Sequence, residues 1–279
     1  MNILNNAPNV PYILRRGSSG IRLFLRLSLI IVCIFLSATL LPAKILKTKH
    51  LRRGLGMRLP LTIGSAFEYQ ADSEEKEYGF PFYAEWSFTE ALQLSIEPNY
   101  LRIKPKTGDT AKGWGDLEAC LIYEFSHETR RRPAFAVEGI INFPLTTNQQ
   151  LGTGRVDFTI GGIVSRELGP VDLDLNVDYT FVGSPSSVHL KNRLEVALSA
   201  EWILSPVISL EGEIVGSTGG FSARPGTPGG LGGAENNLEG LIGIAERFGR
   251  HLKLEQGIVI VSDGSWQAVI AWEWAFGRD

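Results

Sequence analysis

Acidic and apolar side chains alternate along several segments of this sequence. In VDLDLNVDYTF, at 171–181, aspartate and other polar residues take every second position, and apolar residues fill the positions between them. Residues 190–202 repeat the pattern, with Lys191, Arg193, Glu195 and Glu201 on the polar side. Carboxylates that share one face of a pore attract cations and set ion selectivity. The chemistry indicated is therefore attraction of ions. It requires β-strands, because a strand places alternate residues on opposite faces.

Other residue combinations that could do chemistry have simpler interpretations. His189 lies near three serines, as a Ser–His hydrolase pair requires, but the sequence GSPSSVH is typical of a turn. GWGD, at 113–116, lacks the lysine and the strand–loop–helix context of a phosphate-binding loop. We therefore predict no catalytic residues, and a barrel enzyme is a distant third hypothesis.

Metal and cofactor sites are not indicated either. The four histidines are far apart in the sequence, and none pairs with cysteine at metal-ligand spacing. Cys33 lies in the N-terminal apolar run, and Cys120 fits the role of a small buried side chain. We expect no metal and no cofactor.

The N-terminal 43 residues are predicted to be a Sec-type signal peptide. Four arginines precede the uncharged run 27–43, which ends in small residues suited to signal-peptidase cleavage. An uncleaved anchor helix is the alternative, since the run approaches the shortest length that spans a bilayer. Cleavage leaves 23 basic and 30 acidic side chains, so the formal charge changes from −3 to −7. Residues 44–57 then form a basic N-terminal segment.

The rest of the chain is predicted to be all-β. A content of 14 Phe, 7 Tyr and 6 Trp excludes a disordered chain, and no later apolar run is long enough for a transmembrane helix. Nothing indicates a nucleic-acid surface. Period-2 alternation predicts twelve strands. They lie near 58–70, 79–88, 92–104, 113–125, 133–145, 155–167, 171–182, 190–203, 207–217, 235–247, 252–262 and 266–276.

Strand number and length favour an antiparallel up-and-down transmembrane β-barrel over residues 58–276. The connections after odd-numbered strands are mostly longer than those after even-numbered strands, as in outer-membrane barrels. The segment 218–234, rich in Gly and Pro, is the strongest loop signal. The strands are also long enough to cross a bilayer, whereas strands of soluble proteins usually are not. A soluble antiparallel sandwich remains the alternative.

Strand parity places most of the charge inside such a barrel. The residues with the strongest case for lining the lumen and setting selectivity are mid-strand acids, with two basic neighbours: Glu118, Glu138, Asp174, Glu195, Glu211, Glu255, Glu273, Lys191 and Arg193. Arg102, Lys104, Arg247 and Lys253 are assigned to the same face. Charged groups avoid lipid in any case, so a solvated or cross-paired wall is the simpler interpretation of each residue alone. The whole set predicts an acidic lumen.

The last strand carries a predicted assembly signal. Trp272, Trp274 and Phe276 end an amphipathic strand, as in proteins read by the barrel assembly machinery, although 277–279 follow as a C-terminal tail. Outer-membrane lipid and this machinery are the expected partners, together with an unidentified small solute.

Four segments resemble one outer-membrane family. GWGDLEACLIYEF (113–125), RRPAFAVEGIINFPLTT (132–147), GTGRVDFTIGGIVSRELG (152–169) and DLNVDYTF (174–181) occur in the order seen in the family named for the MetA pathway of phenol degradation. FPLTTN replaces the usual Pro-Thr-Gly hairpin of that family. The resemblance implies an outer-membrane barrel that moves small, often aromatic or hydrophobic, compounds. A passive channel is therefore the leading hypothesis, and a non-conducting structural or surface-interaction barrel is the second.

Overall fold

The computed structural model describes residues 61–71, 75–145, 148, 151–152, 154–184, 190–218 and 237–277. The predicted signal peptide, the basic segment and His189 lie outside these ranges. The described residues form twelve strands: β1 (Leu61–Ala71), β2 (Glu75–Ser87), β3 (Leu92–Pro105), β4 (Ala111–Ser126), β5 (Ala134–Pro144), β6 (Asp157–Leu168), β7 (Val171–Phe181), β8 (Arg193–Ser205), β9 (Ile208–Thr218), β10 (Asn237–Phe248), β11 (Leu252–Val261) and β12 (Trp266–Phe276).

The strands form a closed antiparallel barrel, as predicted. Each strand pairs with its neighbours in the chain, and β1 pairs with β12 from Leu61 opposite Phe276 to Ala71 opposite Trp266. Closure leaves no edge strand whose backbone groups lack partners. The sandwich alternative is therefore wrong, because a sandwich has two separate sheets.

Strand boundaries differ from the prediction by a few residues. β2 begins at Glu75, because its pairing with β3 continues to Glu75 opposite Pro105 although EKEY lacks apolar alternation. β8 begins at Arg193, three residues later than expected. The register between β3 and β4 shifts between Pro98 and Tyr100 of β3. As a result, odd-numbered residues of β4 face inward before the shift and even-numbered residues face inward after it.

Chain termini and connections define two ends of the barrel. The end where β1 begins and β12 finishes, here the termini end, has the connections 88–91, 127–133, 169–170, 206–207 and 249–251. Gly169 and Gly249 allow tight turns there, because both have positive φ, at 65° and 67°. The opposite end, here the loop end, has 72–74, 106–110, 145–156, 182–192, 219–236 and 262–265. Three of these six, 145–156, 182–192 and 219–236, are longer than every termini-end connection, and the others overlap them in length, so the predicted asymmetry is only partly regular.

The outer face is apolar. Its midsection is aliphatic, and Ile242 is 78% exposed. An aromatic band near the loop end includes Tyr69 with Trp266 and Tyr100 with Trp114, at ring-centroid distances of 5.6 Å and 5.5 Å. A second band near the termini end includes the stacked rings of Phe125 and Phe135, at 6.3 Å. The part of the chain described here contains no helix with the length and hydropathy of a membrane span.

Candidate functional site

Burial identifies the inner face of the barrel. In β7, Asp174, Asn176 and Thr180 are buried, whereas Leu175 and Tyr179, which point the other way, are exposed. Because strand side chains alternate between faces, every second residue points inward. Residues that lie opposite each other on paired strands share a face, so the pairing register identifies the inward residues of every strand.

Lys253 holds two acidic side chains of the inner face near the termini end. Its Nζ donates a 3.0 Å hydrogen bond to Oε1 of Glu211 and a shorter one to Glu255. Glu211 is only 2% exposed, and its Oε2 has no hydrogen-bond partner among the described residues. One ammonium group therefore balances part of the charge of two buried carboxylates.

Arg247 forms a second charged contact beside the first. Its guanidinium donates to Glu201 and, at 3.3 Å, to Oγ of Ser209. The Ser209 hydroxyl in turn donates to Oε1 of Glu201 at 2.6 Å. Glu201 lies directly opposite Glu211 in the β8–β9 register. The two cations therefore lie where adjacent carboxylates would otherwise repel each other.

Tyr83 joins the same end of the barrel to β12. Its hydroxyl lies 2.8 Å from Oε2 of Glu273, and both residues are opposite Gly64 in the register of β1. A Cβ atom on Gly64 would lie 2.5 Å from the Tyr83 ring. The missing side chain at Gly64 thus allows the tyrosine to cross β1.

Glu138 lies among polar side chains halfway along the barrel. Its Oε2 accepts from the Cys120 thiol at 3.6 Å, and its Oε1 accepts from the Asn176 amide at 3.4 Å. Gly161 separates Glu138 from Asp178 in the register, and a Cβ on Gly161 would lie 1.8 Å from the Asp178 carboxylate. The glycine leaves room for two acidic side chains to converge.

Like charges face one another at several register positions of the inner face. Glu97 is opposite Glu118 in β3–β4, and Asp178 is opposite Glu195 in β7–β8. Asp172 is opposite Glu201, which continues the row to Glu211. Carboxylates directly opposite each other destabilise a sheet unless cations or water reduce their repulsion.

Toward the loop end, the inner face contains an arginine, and an aspartate there binds the backbone of a connection. Arg193 Nε lies 3.8 Å from the Glu195 carboxylate. Asp157 Oδ1 accepts a 2.7 Å hydrogen bond from the backbone of Gly183. The bond to Gly183 connects the start of β6 to the connection between β7 and β8.

All seven acidic residues assigned to the lumen from sequence have inward parity in the structure. Four of them are buried (Glu138, Asp174, Glu211 and Glu255), and the other three (Glu118, Glu195 and Glu273) are partly exposed. Asp174 accepts a hydrogen bond from Ser165, and Arg193 is also on this face. Their role in selectivity remains a prediction.

Two basic residues were assigned incorrectly, and a third lies outside the strands. Lys191 is exposed and precedes β8 in a loop-end connection, so its assignment to the lumen stays a prediction. Arg102 and Lys104 alternate with buried Leu101 and Ile103 and point outward. The alternation here was misread because the inward residues near the end of β3 are apolar.

The prediction from sequence also missed apolar patches on the inner face. One contains Cys120, Ile122, Ala134, Ala136, Ile140 and Ile163. Another contains Ala66, Leu241, Val259, Val261, Val269 and Ala271. Both lie beside carboxylates, so the inner face is mixed in character. Period-2 patterns assign one polar and one apolar face and cannot reveal apolar residues on both.

Within the described ranges, no three His, Cys, Asp or Glu side chains are placed to hold a metal ion. Ser184 accepts a hydrogen bond from the backbone of Leu190 at 2.9 Å, as expected for a turn. The proposed partner His189 lies outside the described residues, so the enzyme alternative is not tested at that residue.

The aromatic residues of the predicted assembly signal lie at the termini end of β12. Phe276 is opposite Leu61, and the Trp274 ring stacks on His251 at 5.8 Å. Trp272 shares their outward parity. Their position agrees with the prediction, while recognition by assembly machinery stays a prediction.

Solved structures with this fold include bacterial channels. An outer-membrane channel from Pseudomonas putida F1 superposes with a TM-score of 0.60 at 16% identity, covering 78% of this chain and 96% of that one. The NanC porin gives 0.56 at 7% identity, covering 77% and 99%. The KdgM porin in complex with oligogalacturonate gives 0.51 at 7% identity, covering 76% and 99%. These likenesses show the barrel fold.

No protein-family model matches the chain, and no curated protein matches its sequence. The resemblance to the MetA-pathway family therefore stays a prediction.

Proposed function

We propose that this protein is an outer-membrane channel that passes small solutes and prefers cations. The observation that carries the proposal is the set of carboxylates facing each other on the inner face, such as Glu97 opposite Glu118 and Asp178 opposite Glu195. Carboxylates so placed repel each other unless cations or water lie between them. A concentration of carboxylates in a pore favours cations over anions.

The outer face supports placement in a bilayer. A strand of 11 residues, such as β7, rises about 3.3 Å per residue and spans roughly 28 Å when tilted by about 40°. This height matches the apolar band of about 25 Å in outer-membrane barrels, and aromatic bands flank it here as they do there. The termini end then faces the periplasm and the loop end faces the cell exterior. The predicted signal peptide and assembly signal account for export and insertion.

The mixed inner face defines the solute class. Apolar patches such as the one containing Ile122 and Ile163 lie next to Glu138 and Asp174. Carboxylates bind the charged part of a solute, and apolar patches bind a hydrocarbon or aromatic part. Small organic cations, followed by small aromatic or hydrophobic compounds, are therefore the preferred solutes.

Ion selectivity tests the preference for cations. The variant Glu118→Gln/Glu138→Gln/Glu195→Gln removes three inward charges, and its reversal potential in a KCl gradient should move toward that of an unselective pore. The control Glu90→Gln/Glu128→Gln/Glu246→Gln removes three charges that do not belong to the midsection of the inner face. Equal reversal potentials in the wild type and both variants would contradict cation selection by these carboxylates.

A non-conducting barrel is the second candidate, and one observation favours it. Inner-face side chains such as Asn176 and Ser199 are each 1% exposed. Eight-strand barrels are just filled by their side chains, and twelve strands enclose more space, so such deep burial is unexpected in an open pore. A structural barrel would show no single-channel currents in any folded form.

A further inference from the structure

The mostly apolar outer face carries a group of basic side chains at the loop end. Among the described strands, five outward-facing positions are Lys or Arg, and four of them lie together on the adjacent strands β2, β3 and β4. These four, here the outer basic patch, are Lys76, Arg102, Lys104 and Lys112. We infer that the outer basic patch binds the phosphorylated headgroup of a lipid in the outer leaflet, while the acyl chains lie against the aromatic rings beside it.

The pairing register places the four side chains in two neighbouring rows. Arg102 of β3 is opposite Lys112 of β4, and Lys76 of β2 is opposite Lys104 of β3. Residues directly opposite each other on paired strands have Cβ atoms about 4.5–5.5 Å apart, and diagonal neighbours are about 7–8 Å apart. A phosphate group among them can therefore contact two or more cations at once, and arginine can hold it by two parallel hydrogen bonds.

No carboxylate neutralises the outer basic patch within the part of the chain that the structure describes. All four side chains are exposed, and none has a hydrogen bond or ion pair there. The fifth outward-facing cation, Arg166 near the termini end, instead lies 3.5 Å from the Glu128 carboxylate. The connection 106–110 adds exposed Lys106 and exposed Asp109, whose charges balance. The outer basic patch thus presents cations that repel one another until an anion lies between them.

A continuous aromatic surface adjoins the outer basic patch on the membrane side. Phe67, Phe80, Tyr100 and Trp114 follow one another across β1 to β4, with ring-centroid distances of 5.4, 6.5 and 5.5 Å. Tyr100 and Trp114 are each two residues from a cation of the patch, a rise of about 6.6 Å along the strand, or roughly 5 Å in height at a tilt of about 40°. Aromatic belts lie at the membrane–water interface, so the cations are at the level of the lipid headgroups.

A phosphorylated lipid fits both surfaces at once, whereas free phosphate would contact only the cations. Clusters of Lys and Arg beside a membrane attract anionic headgroups, and an apolar aromatic surface contacts the acyl chains. The inference uses the orientation proposed above, with the loop end facing the cell exterior, and it does not require that the barrel conducts. Lipid A is the probe, because it forms the outer leaflet of such membranes and carries two phosphates on an acylated sugar.

Binding of lipid A to the purified full-length protein in an uncharged detergent tests the inference, with native mass spectrometry to count the bound molecules. Wild type should bind lipid A about tenfold or more tightly than dephosphorylated lipid A, because each basic side chain beside an anionic lipid strengthens binding about fivefold. Arg102→Gln/Lys104→Gln/Lys112→Gln should lose this preference. Arg102→Lys/Lys104→Arg/Lys112→Arg preserves the charge and should keep it.

The matched control neutralises three exposed basic residues at the other end of the barrel. Arg130→Gln/Arg131→Gln/Arg132→Gln changes the net charge by the same amount on a termini-end turn and should keep the preference. An equal loss in this control would overturn the inference, because net charge alone would then explain binding. Equal affinity of wild type for lipid A and its dephosphorylated form would overturn it as well. Displacement of lipid A by an equal concentration of inorganic phosphate would also overturn it, since the site would then bind free phosphate.

Current recordings on the same preparations separate this inference from the proposed function. A barrel that conducts but does not prefer phosphorylated lipid A would overturn the lipid site alone. A preference that depends on the outer basic patch, in a barrel that does not conduct, would support the lipid site and refute only the channel. Migration of unheated protein on gels verifies that each variant is folded, and Lys104→Gln/Lys112→Gln replaces the triple variant if that one does not fold.

Discussion

The hydroxyl of Tyr83 lies 2.8 Å from Oε2 of Glu273, and the contact passes over Gly64. Gly64 is opposite Tyr83 on one side and Glu273 on the other, so the tyrosine spans the full width of β1. The hydrogen bond joins β2 to β12 across the strand that closes the barrel. A side chain contact thereby reinforces the backbone ladder at the point of closure.

A methyl group at Gly64 should destabilise the barrel. Gly64→Ala places a Cβ atom 2.5 Å from the Tyr83 ring, and overpacking of this kind costs about 1–3 kcal/mol. The measurement is the free energy of unfolding in urea, followed by tryptophan fluorescence. Gly240→Ala is the control, because a Cβ there meets nothing within 4 Å. Adding Tyr83→Ala should remove most of the cost of Gly64→Ala, and a cost that persists in the double variant would rule out this contact as its source.

Removal of the Lys253 charge should be more costly. Lys253→Met leaves Glu211 and Glu255 buried without the ammonium group between them, and breaking a buried ion pair costs about 3–5 kcal/mol. Urea unfolding measures the loss. The control Lys112→Met removes an exposed lysine and should change the free energy of unfolding little. Neutralising both carboxylates in the Lys253→Met background should restore stability, and a lack of recovery would argue against charge imbalance as the cause.

Arginine on the outer face should report depth in the bilayer. Ile242 lies midway along β10 and is 78% exposed, whereas Leu238 is near its loop end. Ile242→Arg should cost about 2–4 kcal/mol and Leu238→Arg about 0–1 kcal/mol, because the lipid core penalises charge most at its midplane. The free energies are compared in lipid vesicles. Equal costs at the two sites would contradict the placement of the apolar band.

The aromatic end of β12 should matter more for assembly than for stability. Trp274→Ala/Phe276→Ala should lower the amount of folded protein in the outer membrane several-fold, because the terminal aromatic residues are the predicted signal for assembly. The stability of protein refolded in detergent should change much less. Trp266→Ala removes an aromatic residue from the same outer face at the opposite end of the strand. A similar loss of assembled protein in that control would mean that any aromatic residue of β12 has this effect.

Period-2 alternation was sufficient to predict twelve strands, their order and the inward side of the acidic residues. In β7 and β8, where polar and apolar residues separate cleanly, burial follows the predicted faces. Alternation is reliable in these strands because the outward residues are apolar and the inward residues are polar or small.

Alternation failed where the inner face is itself apolar. Leu101 and Ile103 point inward, so their neighbours Arg102 and Lys104 were assigned to the lumen although they point outward. The Tyr83–Glu273 contact was also missed. It joins residues far apart in the sequence, and only the closure of β1 on β12 brings them together.

Single-channel recording in planar bilayers tests the channel most directly. Purified, folded protein should produce discrete current steps. Their reversal potential in a KCl gradient should show a preference for potassium over chloride. Folded protein that gives no steps above the leakage of the bare bilayer would contradict the account.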